Sequence, residues 1–157
     1  MKVKLLQLGK TQESYLLDGI GQYEKRLQAF TSFSCETIPA LKDASSLGVL
    51  QVKQREGELI LARVKSDDFL VLLDENGRTY NSVAFARQLE QWQVQGTRQL
   101  VFVIGGAYGF SDEVYKRARM KIALSEMTFS HQLVRLIFME QLYRAFTIIN
   151  KHPYHHV

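Results

Sequence analysis

Short apolar runs alternate with longer amphipathic stretches along the whole chain. The opening run, VKLLQLG (3–9), predicts a strand. The stretch TQESYLLDGIGQYEKRLQAF (11–30) follows, with Tyr15, Leu16, Ile20, Tyr23, Leu27 and Phe30 at helical spacing and Gly19 and Gly21 as weak points. FSCETIP (33–39) predicts a second strand, stopped by Pro39. The small polar residues of 40–48 read as a flexible loop, and QVKQREGELILARVK (51–65) as a helix flawed by Gly57. Phe69–Leu73 is a continuous apolar run bounded by acids and an Asn-Gly pair, the pattern of a strand buried on both faces. SVAFARQLEQWQVQG (82–96) predicts an amphipathic helix stopped by Gly96. LVFVIGG (100–106) predicts another buried strand, and SDEVYKRARM (111–120) a helix capped by Ser111 with acids in its first turn. KIALSEMTF (121–129) reads as a short strand and loop, followed by a last helix from Ser130 to about Asn150.

This β-α alternation, five times repeated, predicts one α/β domain built on a mainly parallel sheet. A length of 157 residues suits a single domain that buries a core without disulfides. The lone Cys35 excludes an internal disulfide and a multi-cysteine zinc site. No leader peptide pattern and no membrane-spanning apolar run are present, so a reducing cytoplasm is the expected setting.

The net charge of +4 hints at an anionic partner. Lys116, Arg117, Arg119 and Lys121 cluster without an acid among them, either as a solvated helix face or as a phosphate-contacting patch. Three strand ends are candidates for a ligand site at the carboxyl edge of the sheet: LLDENG (72–77), IGGAYG (104–109) and LSEMTFS (124–130). In the second, Gly105 and Gly106 are expected to turn with positive φ beside a ligand, or to form a tight turn without one. The glycine spacing matches neither the dinucleotide fingerprint nor a P-loop, which disfavours a nicotinamide enzyme or a nucleoside triphosphatase. The last helix is apolar nearly all round, so it is expected to be buried on more than one side, the second against another copy of the chain. Arg144 lies four residues after Glu140, as a surface ion pair or as a seam residue facing substrate. Arg135 and His131 are each open between structural and functional roles. Taken alone, the tail HPYHHV (152–157) reads as a frayed end or a weak adventitious metal site, since His152, His155 and His156 lack the spacing of a defined zinc site.

The combination LLDENGR, VFVIGGAYGF, ALSEMTFSHQLVRLIFMEQLYRAFTI and terminal HPYH resembles the bacterial ribosomal RNA large subunit methyltransferase H family, a minimal branch of the SPOUT superfamily. The resemblance runs over the whole chain. It implies an α/β fold with a C-terminal deep trefoil knot, S-adenosylmethionine as methyl donor and no metal. It also implies a homodimer that methylates N3 of a pseudouridine in helix 69 of 23S rRNA within the assembled ribosome. Position by position, it assigns the cofactor to Leu73, Gly105, Leu124, Ser125, Glu126, Met127, Thr128 and Phe129. It assigns catalysis to Arg144, Tyr154 and His155, with Arg144 favouring the target anion, Tyr154 stacking on a base and His155 taking a proton. Ser130 stands where members of the family often carry proline, and serine serves there as a helix cap. A non-catalytic ribosome- or RNA-binding module on the same scaffold is the rival reading.

Overall fold

In the computed structural model, which describes residues 1–156, five parallel strands lie in the order β2-β1-β4-β3-β5. The strands are β1 (Lys2–Leu8), β2 (Phe33–Ile38), β3 (Phe69–Thr79), β4 (Gln99–Ile104) and β5 (Met120–Ala123). The helices are α1 (Ser14–Leu27), α2 (Val49–Leu61), α3 (Ser82–Val94), α4 (Asp112–Arg117) and α5 (Leu133–Ile149). A single 3₁₀ turn, Ala44–Ser46, interrupts the predicted loop. Val157, the last residue of the tail, lies outside the described residues.

Strand side chains alternate between two cores. Val3, Leu5, Val71, Leu100, Phe102 and Ile104 pack against α1, α3 and α5. Leu6, Leu8, Leu70, Leu72, Val101 and Val103 pack toward α2 and α4. This explains the near-continuous apolar runs of β3 and β4, which have no wet face. Crossovers in one direction along the sheet use the α1/α3 face, and those in the other direction use the α2/α4 face, as a constant crossover hand requires.

Side chains set the element ends. Asn81 caps α3 by accepting from the Ala84 N–H at 2.8 Å, and Gly96 ends it at φ 83°. Ser111 caps α4 as expected, but that helix stops at Arg117 because Met120 and Lys121 join β5. The last helix begins at Leu133 rather than Ser130. Ser130 still caps the approach, its Oγ accepting from the Leu133 N–H at 3.1 Å.

Two glycines mark close approaches that spacing alone does not reveal. Gly57, a flaw by helix propensity, lets α2 meet α4: a Cβ there would lie 2.3 Å from Ser111 Oγ. Gly77 belongs to the Asn-Gly pair that the pattern takes as the strand's bound, yet β3 runs on to Thr79. A Cβ at Gly77 would lie 2.6 Å from the Ile122 backbone. Both Leu73 and Arg78 register with Ile122, so residues 74–77 protrude from the β3/β5 ladder as a large bulge.

The described part of the tail, 152–156, folds back with Tyr154 packed on the core instead of fraying. Lys151 takes a left-handed φ of 55°, and the His152 N–H bonds to the Thr147 carbonyl at 2.8 Å. No helix among the described residues is long and apolar enough to cross a membrane.

Candidate functional site: a cleft and a separate arginine cluster

Neighbouring strands β3 and β4 send their following helices to opposite faces of the sheet, which opens a crevice at their carboxyl ends. A cleft of about 340 Å³ lies there. All three predicted strand ends converge on it. Leu73, Gly105, Leu124, Ser125, Met127, Thr128 and Phe129 line it, whereas Glu126 is exposed and does not. The loop after β5 is shaped locally: Ser125 Oγ accepts from the Met127 N–H at 2.9 Å. Met127 is 77% exposed, so the cleft rim offers an uncovered apolar side chain.

Gly105 and Gly106 do not adopt positive φ; among these glycines only Gly109 does, at 83°. At Gly105 what demands glycine is space, whereas Gly106 faces only the movable end of the Glu56 side chain. A Cβ on Gly105 would lie 2.9 Å from the Phe110 ring, and one on Gly106 would lie 2.7 Å from the Glu56 carboxylate. Glu56 Oε1 is buried without a hydrogen-bond partner, and burial pushes the pKa of this carboxyl up.

The sequence reading held Asp74 only as part of LLDENG, with no role of its own, and missed Tyr115; both are on the cleft wall. The Tyr115 hydroxyl donates a very short hydrogen bond to Asp74 Oδ2, and the Asn76 N–H donates to Asp74 Oδ1 at 2.8 Å. Burial, with Asp74 beside it, pushes the Tyr115 phenol up to about 12. No sequence signal pairs these residues, because 41 positions separate them.

Arg135 resolves as structural. It is fully buried, and its guanidinium donates to the carbonyls of Leu8 (2.7 Å), Gly9 (2.8 Å) and His131 (3.1 Å) and to Thr11 Oγ1 (3.0 Å). It thereby ties the end of β1 to the start of α5 behind the cleft, where His131 and Val134 are lining residues.

Arg144, Tyr154 and His155 form a second group. The Arg144 guanidinium donates to Glu140 Oε1 from Nε at 3.0 Å and to His155 Nδ1 at 3.1 Å. It also lies 4.9 Å from the centre of the Tyr154 ring. The Tyr154 hydroxyl donates to Glu140 Oε1 at 3.1 Å and sits 3.4 Å from the Tyr23 hydroxyl. Burial, then Tyr23 and Glu140, push the Tyr154 phenol above its ordinary range. Hydrogen bonding to Glu140 pushes the Arg144 guanidinium up. One face of the Tyr154 ring is therefore committed to holding Arg144. Arginine only donates, so His155 Nδ1 must accept and its neutral ring carries the proton on Nε2. Glu140 and Tyr23 complete the group and are absent from the residues assigned by resemblance.

Cleft and cluster do not meet in one chain. None of Arg144, Tyr154 and His155 lines the cleft. Val134 and Arg144 are ten residues apart on α5, about 15 Å along its axis at 1.5 Å per residue. On the basic segment, Arg117 is occupied, donating to the Lys65 and Asp68 carbonyls at 2.6 and 2.9 Å, while Lys116, Arg119 and Lys121 are exposed.

Residues 1–155 match the family model described as "Predicted SPOUT methyltransferase". A protein from Flavobacterium psychrophilum named Ribosomal RNA large subunit methyltransferase H is 53% identical over 156 residues, 99% of each chain. One of the same name from Parabacteroides distasonis is 49% identical over 156 residues, again 99% of each chain. The solved structure of a probable methylase family protein from Haemophilus influenzae Rd KW20 superposes with a TM-score of 0.55 at 11% identity. That likeness covers 99% of this chain and 70% of the other, and supports the fold alone.

Proposed function

The chain belongs to the SPOUT methyltransferase family, within the ribosomal RNA large subunit methyltransferase H group, and from that premise we propose that it methylates 23S rRNA using S-adenosylmethionine. The target in this reading is N3 of a pseudouridine in helix 69, presented by the assembled ribosome in the cytoplasm. The supporting observation is the convergence of seven of the eight assigned cofactor positions on one cleft at the carboxyl ends of β3, β4 and β5.

The cleft suits the cofactor in size and chemistry. Its roughly 340 Å³ falls within the range of about 300–1,000 Å³ typical of small-molecule sites. Leu73, Ile104, Leu124 and Phe129 offer apolar surface for an adenine, and the irregular 124–129 segment offers backbone donors and acceptors. When bound, the cofactor supplies an electrophilic methyl group on a sulfonium. The protein's own part is positioning and electrostatics. Arg144 lowers the free energy of the imide anion formed at N3. Glu140, Tyr154 and Tyr23 hold the guanidinium in place for that task. With Nδ1 engaged by Arg144, His155 presents Nε2–H as a donor to the target base. In this reading His155 hydrogen-bonds the base instead of taking the proton, and the N3 proton leaves to solvent water.

The proposal includes a homodimer in which the partner brings its arginine cluster to the cleft. The separation of about 15 Å within one chain and the partly exposed stripe Leu133, Ile137 and Arg144 on α5 support it. It also includes the trefoil knot that the resemblance implies.

The test is transfer of labelled methyl from S-adenosylmethionine to ribosomes from cells lacking this gene, with stripped 23S rRNA in parallel. Label mapping to helix 69 in intact ribosomes is expected. Arg144→Ala should lower transfer by about 100-fold while leaving cofactor affinity unchanged. Cofactor binding without transfer to either acceptor would overturn the assigned substrate. Absence of both binding and transfer would favour the non-catalytic binding module.

A further inference from the structure

The cleft is an acidic spot on a basic protein. The chain carries a net charge of +4, yet among the described residues no lysine or arginine lines the cleft, whereas Asp74 and Glu75 both do. Glu75 is exposed at the rim. Asp74 is half-buried and fixed from two sides, by the Tyr115 hydroxyl on Oδ2 and by the Asn76 N–H on Oδ1. A carboxylate held this way cannot swing out to solvent, so its field stays in the cleft. Lys121 places its Nζ 5.3 Å from the centre of the Tyr115 ring and is not a lining residue. The bulge at residues 74–77, made possible by Gly77, projects this segment out of the β3/β5 ladder.

We infer that Asp74, locked by Tyr115, is a specificity-determining residue that favours a cationic ligand over its neutral counterpart in this cleft. This rests on the cofactor reading above. S-adenosylmethionine carries a sulfonium charge that S-adenosylhomocysteine lacks, while the two share adenine, ribose, ammonium and carboxylate. A fixed anion in a partly desolvated cleft attracts the first more than the second. Methyl transfer removes that charge, so the product loses the attraction that held the donor. The same field repels phosphate, which keeps the RNA backbone out of the cofactor cleft and on the basic surfaces.

The experiment is calorimetric titration of the full-length protein with S-adenosylmethionine, S-adenosylhomocysteine and sinefungin, whose amine places a cation where the sulfonium would be. Wild type, Asp74→Asn and Tyr115→Phe are compared, with melting temperatures recorded for each. Asn keeps the shape: its single Oδ1 can go on accepting from the Asn76 N–H while its NH2 donates to the Tyr115 hydroxyl oxygen, so the loop stays tied and the charge is removed. The expected result is a loss of about tenfold for S-adenosylmethionine and sinefungin in Asp74→Asn, equivalent to about 1.4 kcal/mol. S-adenosylhomocysteine should change by less than about twofold, because its reacting end carries no charge. Added salt should narrow the preference in wild type and leave Asp74→Asn unaffected. Tyr115→Phe keeps the charge but frees the carboxylate, and should lose about threefold of the preference. Equal weakening of all three ligands, or an unchanged ratio in a folded Asp74→Asn protein, would overturn the inference and leave the cofactor reading standing. If wild type binds none of the three, the cofactor reading itself fails and this inference with it.

Discussion

Replacing Arg135 tests whether one buried cation holds the C-terminal region to the first strand. Among the described residues its guanidinium has no carboxylate partner and donates only to neutral oxygens of Leu8, Gly9, Thr11 and His131. Burial pushes its pKa down, but a guanidinium stays charged at neutral pH. Four hydrogen bonds from a charged donor are worth about 1.5–3 kcal/mol each, or some 6–12 kcal/mol before desolvation. Burying the cation costs several kcal/mol, which leaves a net contribution of about 3–5 kcal/mol. Arg135→Met keeps most of the apolar stem and volume but strands four acceptors. It should lower unfolding free energy by about 3–5 kcal/mol, a large part of the 5–15 kcal/mol typical of a domain. Arg135→Lys keeps the charge but loses the planar fork, and should cost about 2 kcal/mol. Urea unfolding at fixed protein concentration is the assay, because self-association would otherwise move the midpoint. A fall in midpoint at constant slope is the expected signature. If Arg135→Met unfolds at the wild-type midpoint, the hydrogen bonds contribute nothing net and the argument from the buried guanidinium fails.

Gly57→Ala should destabilise by about 1–3 kcal/mol through overpacking against Ser111, although the same change in an open helix stabilises by roughly 0.5–1 kcal/mol; thermal unfolding decides the sign. Glu56→Gln should be more stable than wild type at neutral pH. The folded protein holds the Glu56 proton more tightly than the unfolded chain does, so unfolding free energy falls as pH rises from about 4.3 through the raised folded value. Below that window the two proteins should converge, and parallel curves across the whole range would show that Glu56 carries no such cost.

Much of the fold was legible because burial imposes a period. Strands covered on both faces must be apolar throughout, and β3 and β4 announce themselves as LVLL and LVFVI. Asn81, Ser111 and Gly96 mark helix ends because capping chemistry is local. The glycine loop and the 124–129 segment, which line the cleft, were legible as candidates through strand-end position and through resemblance. The pairing of Asp74 with Tyr115 was not. A tyrosine on a short helix and an aspartate after a strand are ordinary in each place, and only their meeting makes a fixed anion.

The sequence by itself determined the alternation of strands and helices, the two-sided burial of the sheet, the caps and the candidate strand ends, because each follows from near-neighbour chemistry and periodicity. Tertiary structure alone decided the strand order, the bulge of β3 over β5, the steric demand for glycine at positions 57, 77 and 105, and the structural role of Arg135. It also separated the Arg144 cluster from the cleft. The physical reason is that backbone ladders use the same N–H and C=O groups at every residue. No side chain therefore names its neighbouring strand, and contacts across the fold exist only once the chain has closed on itself.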